Sequence, residues 1–231
     1  DAQLRFPDDG FNALLPEFRE PLPFDLDTYT PLLREYHAAY CPPRGPIDRE
    51  VVDGIVALAD KPLDSNAPTI GVYGKVGVVK GSVELLEALQ RLACKGLRFN
   101  FVQLACGRFP ILDHHYREVL RRPELAERSW ILPTIAPWRI PGYLDTCDIT
   151  CFLENRFGIS FHTPTVPREI LARGSCFVCS RAVPDSGNWK LALHDGDDEI
   201  RLDDPHDIDD LAARLEEAIT QDERRRGVAE L

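Results

Sequence analysis

From Pro68 onward the chain alternates between two kinds of apolar pattern. Short runs have the length and near-continuous hydrophobicity of strands buried on both faces: TIGVYG (69–74), LRFNFVQLA (97–105), SWILP (129–133), DITCFLE (148–154) and SCFVCS (175–180). Between them, SVELLEALQRLA, DHHYREVLRR, WRIPGYLDT and VPREILARG repeat apolar residues every three or four positions, as one face of a helix does. Near the end, DEIRLDDP precedes a further helical segment, HDIDDLAARLEEAIT. Strand and helix taking turns predicts parallel strands joined by crossover helices, a doubly wound α/β sheet. Such sheets bind ligands at the carboxyl ends of their strands. The loops that follow Tyr73, Ala105, Leu132, Leu153 and Ser180 are therefore where chemistry is expected.

Residues 1–65 follow another pattern. They are proline-rich and irregular, with helices predicted at TPLLREYHAAY and at DREVVDGIVALAD, where Val51, Val52, Ile55, Val56 and Leu58 keep a helical spacing. DKPLDSNAP is a linker by its turn residues. Two units are expected: an irregular, partly helical segment over 1–65 and a Rossmann-like domain over 66–231.

Charge and composition narrow the partners. The 231 residues carry 27 Lys and Arg against 38 Asp and Glu, a formal charge of −11. Phosphate neutralisation along a nucleic acid needs a basic face, so nucleic acid is excluded as a general partner and any anion site must be local. No stretch approaches the roughly 18 apolar residues of a membrane span, so no transmembrane segment is expected. The chain has no methionine, which predicts a fragment or a processed product. Its seven cysteines are odd in number and lie mostly in apolar runs, as free buried thiols of a cytoplasmic protein do. A zinc site from Cys147, Cys151, Cys176 and Cys179 is not expected, because Cys176 and Cys179 lie an odd number apart in a strand-like run and face opposite sides. The i,i+4 pair His114 and Glu118 reads as a salt-linked helix face, and no metal or cofactor is expected.

Two loops carry the chemistry. The first runs from Gly71 to Ser82, GVYGKVGVVKGS, into a helix. Glycines let backbone approach a ligand, a helix N-terminus offers free N–H groups, and Lys75 and Lys80 add cations, so phosphate is the natural guest. It is neither a dinucleotide fingerprint nor a Walker A loop. The second, Glu154 to Glu169, ends at Pro167, which suits the first turn of a helix. Glu169 there is either an acid stabilised by the helix dipole or an acceptor for vicinal ribose hydroxyls.

Taken together, Gly74-Lys75 to Lys80-Gly81, then Glu154, Phe157, Gly158, Glu169, Ala172 and Gly174, then DGDDEIRLDDPHDIDDLAARLEEAI, closely resemble the C-terminal half of GT-B glycosyltransferases of the family 4, or group 1, type. In that family the first loop reads G-R-x-x-x-x-K-G, so Lys75 replaces an arginine. The second motif has seven residues between its glutamates, and this chain has more, the excess lying at about Phe161 to Arg168. The resemblance implies a nucleotide-sugar donor, UDP-, GDP- or ADP-linked, and retaining transfer without a metal. Lys75 and Lys80 would oppose the charge of the leaving diphosphate. Glu154 and Phe157, Gly158 and Ile159 would contact the sugar and Glu169 the ribose; His162 and Thr163 lie in the added stretch, where they would either set an imidazole against the diphosphate or brace the loop. Gly74 and Gly77 would shape the loop, and the segment Trp130–Thr134, Leu132 and Thr134 above all, would present backbone to the base. An acceptor domain, N-terminal in cis or supplied in trans, is expected as partner. A non-catalytic module of the same fold, or a sugar-nucleotide epimerase, stays open as an alternative.

Overall fold

The computed structural model describes residues 24–33 apart from 28 and 32, and residues 47–155, 164–186, 193–196, 199–223 and 225. The apolar runs form six strands: β1 (Thr69–Lys75), β2 (Asn100–Cys106), β3 (Ser129–Pro133), β4 (Ile149–Phe152), β5 (Cys176–Ser180) and β6 (Ile200–Leu202). They make one sheet in the order β3-β2-β1-β4-β5-β6, every pair parallel. β1 is central: Ile70 lies opposite Phe101 of β2 on one side and Ile149 of β4 on the other. An all-parallel sheet needs both faces covered, which is why β2 and β3 are buried along nearly their whole length.

Helices supply the cover. They are α1 (Arg49–Ala59), α2 (Ser82–Cys94), α3 (Phe109–Leu120), the single turn α4 (Pro123–Ala126), α5 (Ile140–Asp145), α6 (Val166–Arg173) and α7 (Ile208–Thr220). α2 turns Leu85, Leu86, Leu89 and Leu92 inward and packs against α7. On the opposite face α5 and the turn after it come so close to β1 that a Cβ on Gly71 would collide with Cys147 Sγ and lie 3.0 Å from the Tyr143 hydroxyl. The Tyr143 hydroxyl there donates to the carbonyls of Val72 (3.0 Å) and Val102 (2.8 Å). α3 begins at Phe109, four residues before the first residue of the DHHYREVLRR run, because Pro110 sits in its first turn, where a missing N–H costs nothing. α7 is capped by Asp207, whose carboxylate accepts from the N–H groups of Asp209 (3.1 Å) and Asp210 (3.0 Å).

The segment before Pro68 joins this core. Val51, Ile55, Val56 and Ala59 of α1 and, ahead of it, Tyr29 and Leu33 belong to the same buried cluster as the sheet. Phe24 stacks on Tyr29 at 4.8 Å and meets Tyr143 edge-on at 5.4 Å. The Trp130 indole donates to the Lys61 carbonyl at 2.9 Å, and the Lys61 ammonium stands over the Trp130 ring at 4.6 Å.

Candidate functional site: a glycine loop tied to the turn after β4

β1 ends in GKVGVVKGS, and the glycines here have definite work. Gly74 has φ +116° and Gly81 φ +66°, both unfavourable for a side chain. At Gly81 an added Cβ would also fall 2.5 Å from Leu153 Cβ and 3.1 Å from its carbonyl oxygen, so the loop rests directly on the chain leaving β4. The loop is closed on itself: Gly77 N–H donates to Ser82 Oγ (3.1 Å) and Ser82 N–H to the Gly77 carbonyl (3.3 Å). α2 therefore starts at the point where the loop folds back.

Two further ties cross from this loop to the turn after β4. Asn155 N–H donates to the Val79 carbonyl at 3.2 Å, and the Lys80 ammonium forms an ion pair with Glu154. Glu154 is only 7% exposed, and its carbonyl accepts from the Ser180 hydroxyl of β5. β1 and β4 are the neighbours at which the strand order reverses, the topological switch point where open α/β sheets hold ligands.

A cavity of about 320 Å³ opens beside this junction. Gly74, Lys75, Lys80 and Glu154, four of the residues expected from the sequence, line it together with Gln103 and His115 and a mostly apolar remainder. His115 is buried and lies 2.7 Å from Gln103 Oε1 through Nε2. Burial, with smaller contributions from His114 and Arg122, pushes its imidazole down to about 4, so it is neutral at physiological pH. His114, its neighbour in sequence, is exposed, and Glu118 pairs with Arg121 and Arg122 as a salt-linked face.

The remaining expected residues are distributed as follows. Gly77 lies in the loop itself. Glu169 lies in the first turn of α6, half-buried, and accepts a hydrogen bond from the Tyr73 hydroxyl rather than lining the cavity. Desolvation raises its carboxyl above the ordinary range, and the bond from Tyr73 opposes this. Leu132 is fully buried in β3 and Thr134 exposed just beyond it, both outside the cavity lining. Phe157, Gly158, Ile159, His162 and Thr163 lie outside the described residues, as does Cys41. Cys94, Cys106, Cys147, Cys151, Cys176 and Cys179 are free thiols, and no metal-binding cluster occurs among the described residues.

Tyr73, Ser82, Gln103 and His115 were not among the expected site residues. The sequence does carry traces of them: Tyr73 stands between glycines at a strand end, Ser82 opens a helix after glycine, and Gln103 interrupts the apolar run FVQLA.

No family model matches the sequence, and no curated protein matches it. Solved structures do match the fold. The C-terminal domain of a group 1 glycosyl transferase (LpcC) from Francisella tularensis aligns at a TM-score of 0.57 and 20% identity, over 72% of this chain and 84% of that one. A UDP-forming α,α-trehalose-phosphate synthase from Burkholderia xenovorans aligns at 0.54 and 16%, over 80% of this chain and 45% of that one. A trehalose-6-phosphate protein from E. coli, bound with UDP-2-fluoro glucose, aligns at 0.55 and 17%, over 80% of this chain and 42% of that one. The chain thus spans less than half the length of these last two proteins. Among the described residues no helix is long and apolar enough to cross a membrane. The likeness is one of fold: the chain shares its fold with the C-terminal domain of that group 1 glycosyl transferase, and in this chain the glycine loop lies at the switch point of the six-stranded parallel sheet.

Proposed function

We propose that this chain is the nucleotide-sugar-binding half of a retaining, metal-independent glycosyltransferase of the hexosyltransferase type. The observation that carries the reading is the Lys80–Glu154 ion pair, which joins the glycine loop to the turn after β4 beside the cavity. A nucleoside diphosphate leaving an anomeric carbon gathers negative charge. Lys75, Lys80 and the N-terminus of α2 oppose that charge from positions fixed before the reaction. Glu154, buried behind Lys80, both holds that cation in place and faces the sugar together with Phe157, Gly158 and Ile159. Glu169 takes the ribose hydroxyls, His162 and Thr163 the diphosphate, and Leu132 to Thr134 the base. The donor is UDP-, GDP- or ADP-linked, and a solved protein of this fold holds a UDP sugar derivative. Transfer requires an acceptor side, supplied by an N-terminal domain in cis or in trans, so the isolated chain binds donor and transfers little. The buried free thiols support a reducing cytoplasm as its compartment.

Calorimetric titration with UDP, GDP and ADP tests the reading. One of the three binds saturably, and Lys80→Ala and Glu169→Ala each weaken it by about tenfold, a loss of about 1.4 kcal/mol. Failure of all three to bind overturns it. The lengthened Glu154–Glu169 interval favours one other reading, a non-catalytic nucleotide-binding module. A form carrying its acceptor domain that binds nucleotide yet neither consumes nor epimerises a nucleotide sugar would establish that module.

A further inference from the structure

Gln103 is the one polar side chain in the run FVQLA of β2, a strand covered on both faces. It is 2% exposed, and His115 of α3, which it meets, is 5% exposed. Gln103 Oε1 lies 2.7 Å from His115 Nε2, and among the described residues nothing else hydrogen-bonds either side chain. An amide oxygen only accepts, so Nε2 of the neutral ring carries the proton. That leaves the Gln103 NH2 group as a donor and His115 Nδ1 as an acceptor, both in residues of the cavity wall. Turning the amide over exchanges the two roles and again leaves one donor beside one acceptor. Neither atom is closed off, for among the described residues the unpartnered polar atoms sealed in the core belong to other side chains. A polar group left unmade in a core costs about 1–3 kcal/mol, which apolar residues at both positions would avoid.

The register gives the pair a way out. Val72 of β1 lies opposite Gln103, and the next residues on that face of the two strands are Gly74 and Ala105, again opposite each other. A Cβ at Gly74 would meet nothing within 4 Å. No side chain of β1 or β2 larger than a methyl therefore stands between the pair and the carboxyl end of the sheet, where Lys80 and Glu154 line the same cavity. Its volume of about 320 Å³ is at the low end for a ligand pocket, with room for one ring rather than a whole nucleotide sugar. A phosphate belongs with the lysines of the loop, and Leu132 to Thr134, assigned above to the base, do not line the cavity. A neutral donor beside a neutral acceptor suits a hydroxyl, which both accepts and donates. We propose that Gln103 and His115 form a specificity site for one hydroxyl of the transferred sugar, which accepts from the Gln103 amide and donates to His115 Nδ1. The inference rests on the donor reading and adds to it the group by which the cavity selects. A sugar lacking that hydroxyl leaves both side chains unpaired and is rejected.

Glucose, galactose and mannose conjugates of whichever of UDP, GDP and ADP binds are titrated calorimetrically, beside analogues that lack one sugar hydroxyl each. In the wild-type chain one analogue of the tightest-binding conjugate binds about tenfold more weakly than its parent. Gln103→Met with His115→Phe replaces both partners by apolar groups of similar size, a change that can be nearly neutral for the fold. In that double variant the gap closes to within about twofold, while the bare nucleotide keeps its affinity. A second readout uses the wild-type chain alone: the Gln103 side-chain amide signals in proton–nitrogen correlation spectra shift with the sugar conjugate and not with the bare nucleotide. Equal affinity for every analogue, a gap that survives in the double variant, or amide signals indifferent to the sugar would overturn the specificity site and leave the donor reading standing. Failure of every nucleotide to bind would overturn the donor reading, and this inference with it.

Discussion

The Tyr73 hydroxyl donates to the Glu169 carboxylate, linking the end of β1 to the first turn of α6 across 96 residues of sequence. Desolvation raises both groups, so the carboxylate is held in a place that disfavours its charge. Glu169 takes up its proton more readily in the folded state than in the unfolded one. Its contribution to stability is therefore full below the ordinary carboxylate range and is lost as pH rises through the raised value. Glu169→Gln removes that loss and still accepts from Tyr73. The variant melts higher than wild type at pH 8, and the gap closes toward pH 4. Nucleotide affinity, in the proposed function, falls at the same time. Melting curves at both pH values together with one titration check the trade.

Lys80 and Glu154 act as a unit. Removing the cation takes one charge partner from a nearly buried carboxylate, so Lys80→Ala costs about 1–3 kcal/mol of stability. Lys80→Ala combined with Glu154→Ala costs less than the sum of the two single changes. A double-mutant cycle by urea denaturation measures the coupling, and a coupling of zero would show that the pair is incidental.

Gly81 and Gly74 separate contact from conformation. At Gly81 an alanine meets both a positive φ and the backbone of Leu153, whereas at Gly74 it meets a positive φ with nothing within 4 Å. Gly81→Ala is expected to cost about 2–4 kcal/mol and Gly74→Ala about 1–2. Only the first should loosen the turn after β4, read as faster hydrogen exchange at Asn155.

His115 gives the fold an acid limit. Its imidazole is neutral in the folded state down to about pH 4, while in the unfolded chain it takes up a proton near 6.5. Stability from this group is complete above 6.5 and is lost as pH falls toward 4, by up to about 3 kcal/mol. In His115→Asn the urea midpoint falls less steeply between pH 7 and pH 4.5 than in wild type. Parallel slopes in the two proteins would refute this.

The thiols supply a last check. Burial pushes Cys147 up to about 12 and raises Cys151 and Cys179 as well. Among the six cysteines of the described residues, alkylation of the native chain followed by mass spectrometry should modify exposed Cys94 first and half-buried Cys106 slowly. The buried four should react only in denaturant.

What the sequence makes legible is what local pattern encodes. The strands, the crossover helices and the glycine loop are all written in periodicity and in residues that permit unusual backbone. Lys80 and Glu154 were each visible at the ends of β1 and β4, though nothing local says that they touch. Tyr73 with Glu169 and Gln103 with His115 stayed hidden for the same reason: each pair is made by the sheet bringing distant segments together. That His115 rather than His114 lines the cavity depends on which face of α3 meets the sheet, a fact of packing rather than of spacing.

The bond from Asn155 to the Val79 carbonyl ties the turn after β4 to the glycine loop one residue beyond Glu154. Residues added to the chain beyond position 155 therefore fall downstream of that anchor. The interval to Glu169 can lengthen while Glu154 keeps its place beside Lys80. A fold anchored in this way can refit the end that meets a variable ligand without redrawing the end that meets a constant one.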